Sequence, residues 1–227
     1  MLFGVIALMW HDADTWQSLR QIRILPFGAL IGGALMTAQI AGGIGIVYSR
    51  TARPASILLG VVYLLFSLAC IAAILAEPAS YANFFEQFSL LCGAIALYAA
   101  TGRNRRAVTL SRVSRVGLGV CAISFTLTQI LYLRATAGLV PKWIPPNPMF
   151  WAVVTTIAFA LAAIAILINR QARLALRLMT LMLALFAVLV WIPRLIAHPS
   201  AHGNWSEFAL TCLIAGAAWV VATCPCG

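Results

Sequence analysis

Seven apolar runs, at 27–48, 55–75, 84–100, 116–137, 150–168, 174–197 and 206–222, are separated by short stretches carrying Arg, Pro, Asn or Glu. None alternates apolar with polar positions, as barrel strands of about ten residues do. At about 1.5 Å per residue, some 20 helical residues cross the roughly 30 Å hydrocarbon layer of a bilayer. Each run is therefore predicted as a membrane-spanning helix. Residues 1–10 form a shorter apolar run that ends in His11, Asp12, Ala13 and Asp14. No basic segment precedes it and no small-residue cleavage site follows, so it does not read as a signal peptide. It is predicted as the last half of a spanning helix whose beginning is missing.

Composition agrees with lipid as the solvent. Of 227 residues, 63% are hydrophobic and 9% charged, and the mean hydropathy is +0.99. Ordinary soluble domains carry about 25% charged residues, so soluble, disordered and collagen-like classes are excluded. A net charge of +10 would otherwise point to nucleic acid, but in a bilayer protein basic residues mostly mark cytoplasmic loops. Ten of the 15 basic residues lie on one predicted side: Arg50 and Arg53, then five between Arg103 and Arg115, then Arg170, Arg173 and Arg177. All five acids, Asp12, Asp14, Glu77, Glu86 and Glu207, lie on the other. The Arg-rich side and the C-terminus are expected to be cytoplasmic.

The chain also repeats itself. An offset of 121 carries Pro78 onto Pro199, Asn83 onto Asn204, Phe84 onto Trp205, Glu86 onto Glu207 and Tyr98 onto Trp219. An offset of 120 carries Arg50 onto Arg170 and Arg53 onto Arg173. Four spans separate equivalent positions, so the copies share one orientation, as parallel repeats about an axis along the membrane normal. The expected fold is all-α: a polytopic transmembrane bundle of seven full spans plus a truncated N-terminal helix, built as two parallel four-helix repeats. Residues 1–100 would form the first repeat, 101–115 an Arg-rich cytoplasmic linker, and 116–223 the second.

The second half carries Val140-Pro-Lys-Trp-Ile-Pro-Pro146, a helix opened by Met149-Phe150-Trp151, the segment Val190-Trp191-Ile192-Pro193, and Asn204-Trp205-Ser206-Glu207 before the last run. In these features, over about residues 116–222, it resembles the DoxX-like family of small four-helix bacterial membrane proteins. The first half is similar to a degenerate second copy through Trp10-His11-Asp12 and Trp16-Gln17, and retains only Pro26 of the proline-rich turn. The family takes its name from a subunit of a quinone-linked sulfur oxidoreductase. The resemblance implies a protein without autonomous catalysis, or a redox-accessory subunit, with quinone or lipid as ligand and redox subunits as partners.

Ionisable side chains inside spans are costly and are functional candidates by default. Glu86 and Glu207 open two of the predicted spans, where helix N-termini favour carboxylates and Asn83 or Ser206 could cap. The competing expectation is a ligand cavity between the halves on the periplasmic side. The glutamates would pair there with Arg194 or Arg134, Arg194 reaching Glu207 or a ligand oxygen beside it under a roof of Trp143, near Asn204 and Trp205; the alternative is that Arg194 snorkels to the headgroups. Gln39, Gln129 and Tyr132 are expected to bond between helices. His198 and His202 fall on a proline- and glycine-flanked loop, and no metal site is expected from them. Cys224 and Cys226 end the chain without a C-x-x-C spacing. Nucleotide-binding, haem-attachment and nucleophile-elbow motifs are absent from the sequence. Two further function classes stay open, a small-solute transporter and a membrane-protein assembly factor.

Overall fold

The computed structural model describes residues 1–10, 22, 24–102 and 105–224. His11 to Arg20, Arg23, Arg103 and Cys226, which entered the expectations above, lie outside the described residues. Ten α-helices run through the described chain: α1 (Leu2–Trp10), α2 (Gly28–Gly45), α3 (Ala52–Ala76), α4 (Tyr81–Ala100), α5 (Arg105–Leu131), α6 (Leu133–Leu139), α7 (Pro148–Leu167), α8 (Ala172–Phe186), α9 (Ile192–Ala197) and α10 (His202–Thr223). A π turn, Ala187–Trp191, joins α8 to α9. No strand occurs among the described residues.

Six of these segments are long and apolar enough to cross a membrane, counting α8 to α9 as one. Their outward faces carry large apolar side chains in numbers that water would not tolerate; Leu30, Leu75 and Ile196 are 73%, 83% and 78% exposed. This is the build of a multi-pass membrane protein. The remaining expected span, α4, has 20 residues but carries Asn83, Glu86, Gln87 and Ser89, which lower its hydropathy. Its place in the bundle accounts for that composition: α4 is packed against α3, α5 and α10, so little of it meets lipid.

Helix contacts run in two groups, α1 on α2, α2 on α3 and α3 on α4, then α5 on α7, α7 on α8 and α8 on α10, and the α4–α5 contact that joins them is as extensive as most within either. The groups meet through α4 with α5, α4 with α10 and α1 with α10. Small residues let these backbones approach, as is usual between helices in lipid. Ala96, Ala122, Ala152 and Ala218 are fully buried, and a Cβ placed on Gly93 would sit 2.6 Å from Ala217 Cβ.

Three expected boundaries shift. The Arg-rich segment expected as a linker is helical from Arg105 onward, because Ser114 and Arg115 are buried and anchored: the Ser114 hydroxyl donates to Cys92 O at 2.6 Å, and the Arg115 guanidinium donates to Ile166 O at the end of α7. The run expected at 116–137 breaks at Tyr132 between α5 and α6. The run expected at 174–197 is continuous but not uniform. Pro193 has no N–H to offer Leu189, and the ladder widens over the preceding turn into the π segment.

Candidate functional site

α4 and α10 both begin earlier than the sequence pattern implied, at Tyr81 and His202. Glu86 and Glu207 therefore sit in the second turn of their helices, with Asn83 and Ser206 inside the helix too. The capping role expected for those two residues does not occur. Ser80 and Ala201 precede the helices, and neither makes a side-chain cap bond.

Both carboxyls instead line one cavity of about 240 Å³ at the acidic end of the bundle. Most of its wall comes from the second helix group. Phe125, Phe159, Leu183, Phe186 and Ile214 supply an apolar, largely aromatic lining, and α4 reaches in with Ala82 and Glu86. The cavity is thus the interior of the α5–α7–α8–α10 group opened towards α4, rather than a cleft between two equal halves.

Polar groups converge on it. Trp191 Nε1–H donates to Thr211 Oγ1 at 3.1 Å, and the Thr211 hydroxyl donates to Glu207 O at 2.7 Å. Thr128 donates to the Tyr81 phenol oxygen at 3.1 Å, and Thr156 donates to Gln129 Oε1 at 3.0 Å. Trp191, Thr211, Thr128 and Gln129 are therefore held by bonds within the wall before any ligand arrives. The two carboxyls differ from them. Among the described residues none donates to either carboxyl and none of the cavity lining is basic; the nearest charge is their own, with Glu207 acting on Glu86. Glu86 is half-buried and Glu207 exposed, and within an apolar helix bundle such carboxyls call for a proton, a cation or a hydrogen-bond donor as counterpart.

Of the residues expected to share this site, Glu86 and Glu207 are brought together and the others are not. The Arg194 guanidinium donates to Gly138 O at 3.2 Å and lies over the Trp191 ring, 5.8 Å from its centroid; the expected contact with Glu207 is absent. The π turn carries an extra residue and rotates everything beyond it, which swings Arg194 away from α10 and onto α6. Trp143 stands 69% exposed in the loop before α7 and roofs nothing, because Pro141 and Ile144 turn towards the outer face of α7 and α8. Trp205 Nε1–H donates to Pro199 O at 2.9 Å, so its ring serves the turn before α10. Asn204 shares that first turn, outside the cavity wall.

Of the three polar residues expected to bond between helices, Gln129 does so, Tyr132 sits exposed at a helix break, and the buried Gln39 amide meets no partner. His202 stacks on Trp10 with centroids 4.9 Å apart, and no group of three or more metal-ligating side chains occurs among the described residues. Cys224 is buried rather than trailing, its thiol donating to Ala96 O at 3.1 Å. Trp191 and Thr211 were missed by sequence reasoning. Trp191 had entered only within the Val190–Pro193 segment of the family resemblance, without a site role, and Thr211 had no signal beyond its spacing four residues after Glu207.

No family model, no characterised protein and no solved structure matches the chain.

Proposed function

We propose that the chain is a DoxX-like protein of the bacterial inner membrane that binds the ring of a quinone, in its quinol form, in the Glu86–Glu207 cavity, without catalysis of its own or as the quinone-holding subunit of a redox assembly. The observation that carries this is the pairing of two unpartnered carboxyls with an aromatic wall. A quinol offers two O–H donors to the carboxyls and a flat ring to Phe125, Phe159 and Phe186. An apolar cavity of about 150 Å³ is enough to hold a benzene ring, and the volume here, about 240 Å³, accommodates a substituted ring. A phospholipid headgroup is disfavoured, because its phosphate would face two carboxyls with no cation between them.

In this reading α4 is a seventh span, α1–α4 and α5–α10 are parallel copies, and the Arg-rich end with the C-terminus lies in the cytoplasm. The order of neighbours supports the duplication: α5 packs on α4 as α1 packs on α10, with α4 meeting α10 between them. A twofold axis along the bundle produces that order.

A small-solute transporter is the second reading, favoured by the helix break at Tyr132 and the π turn at Ala187–Trp191, which flank the cavity as interrupted helices flank transport sites. Mass spectrometry of gently purified protein separates the two. Quinone recovered in amounts comparable to the protein, and depleted from the doubly substituted E86Q/E207Q chain, supports ring binding. A co-purifying solute with no quinone overturns it in favour of transport.

A further inference from the structure

On the outer face of the α7–α8 seam lies an apolar groove made of two connected hollows. The one nearer the Arg-rich end, about 350 Å³, is lined by residues such as Leu161, Ala165 and Leu174; the other, about 320 Å³, by Ile144, Trp151, Leu181 and Leu189. Ala158, Leu178 and Met182 belong to both hollows. From Leu174 to Val190 the groove follows α8 and its π turn for about 24 Å at 1.5 Å per residue. That is most of a bilayer's hydrocarbon depth of about 30 Å.

The groove and the carboxyl-lined cavity are two sides of one wall. Phe186 and Val190 line both. On α7, Ala158 faces the groove while its neighbour Phe159 faces the cavity, and between α6 and the following loop Leu139 faces the cavity while Val140 faces the groove. Val190 belongs to the π turn, the one stretch of this wall where the backbone is wider than an α-helix.

We infer that the groove holds the polyprenyl tail of the same molecule whose ring occupies the cavity, the chain passing between Phe186 and Val190 at the π turn. This rests on the ring-binding function proposed above and extends it to a class of ligand: long-tailed isoprenoid quinones rather than short-chain or soluble ones. Continuity of the wall selects the occupant. The cavity can take a ring but not the tail attached to it, and the tail must leave on the side where an apolar path begins. Met179 and Met182, flexible and polarizable, suit a wall that adapts to a branched chain.

The test uses the full chain in lipid nanodiscs and two photoreactive benzoquinols with farnesyl tails, one carrying the diazirine on the ring and the other at the tail end. The ring probe is expected to label peptides of α4, α5 and α10. The tail probe is expected to label α7 and α8 at the groove, at residues such as Ala158, Leu178 and Met182, and both labels are expected to be lost when a tailless benzoquinol is added in excess. Ala158→Trp, which fills the junction of the two hollows, should abolish the tail adducts and keep the ring adducts. Competable ring labelling with tail adducts scattered over the lipid faces of α2 and α3 would overturn the groove alone. Absence of competable ring labelling would overturn the ring-binding function, and this inference with it.

Discussion

Glu86 and Glu207 reach one cavity from two different helices, and no described residue of its wall supplies either carboxyl with a basic partner or a donor. Several other polar side chains of the cavity wall are bonded within it. Trp191 bonds Thr211, Thr211 bonds the Glu207 carbonyl, and Thr156 bonds Gln129. The cavity is therefore a formed aromatic box with unmet demand at two oxygen-rich points, which is why a donor of two O–H groups is the ligand assigned to it.

Trp191 provides a reporter. Trp191→Phe keeps the aromatic wall and removes one N–H donor to a threonine that stays bonded elsewhere, so the loss of stability should be about 1 kcal/mol. An electron-rich quinol ring quenches indole emission at contact. Quenching by an added benzoquinol should fall sharply in the variant while the other tryptophans keep their emission. Equal quenching in both proteins would place the ring away from Trp191.

Arg194 is tied to Gly138 O and to the Trp191 ring rather than to a carboxyl. Arg194→Leu should cost about 1–2 kcal/mol through the lost carbonyl bond and ring contact. Quinol affinity should stay within about threefold of the parent, a difference under 1 kcal/mol. Thermal unfolding in detergent with a parallel titration reads both quantities. Abolished binding with unchanged stability would show that Arg194 meets the ligand directly.

A close approach of α4 to α10 depends on Gly93. A methyl there would stand 2.6 Å from Ala217 Cβ and 2.9 Å from its Cα, whereas one on Gly216 would meet nothing within 4 Å. Gly93→Ala should destabilise the protein by about 1–3 kcal/mol through overpacking, while Gly216→Ala should be neutral or stabilising by up to about 1 kcal/mol. Unfolding midpoints of the two variants decide it. A Gly93→Ala protein as stable as its parent would mean that α4 and α10 do not cross there.

Orientation is tested from outside the cell. Asn204→Cys, in a chain whose native cysteines are replaced, should react with an impermeant maleimide on intact cells. Ten of the 15 basic residues belong to the opposite end, the end proposed above to face the cytoplasm. Reaction only after lysis would invert the topology.

The sequence displayed six of its seven expected spans, because length and unbroken apolarity are what a bilayer demands of a helix. It was less clear at the ends. α4 and α10 start three and four residues ahead of their apolar runs, at Tyr81 and His202, since the polar first turns are stabilised by neighbours rather than by lipid. The carboxyl pair was visible as a coincidence of offset, whereas its partners were not. Arg194 and Trp143 were grouped with it by proximity in sequence and by depth, but the face a side chain takes beyond a π turn is set by one extra residue that no apolar pattern records. Trp191 and Thr211 looked like ordinary span residues, because a hydrogen bond between helices is a property of packing.

The claim that the two carboxyls hold the quinol is tested most directly by titrating a farnesyl-tailed benzoquinol into nanodiscs containing the parent chain and the E86Q/E207Q chain, following tryptophan emission. Bonds to charged acceptors contribute about 1.5–3 kcal/mol, so the double substitution should weaken binding by about tenfold or more. Replacing two carboxyls that have no basic partner by amides of the same shape should leave the fold as stable as before or more so. Unchanged affinity in the substituted chain would contradict the account.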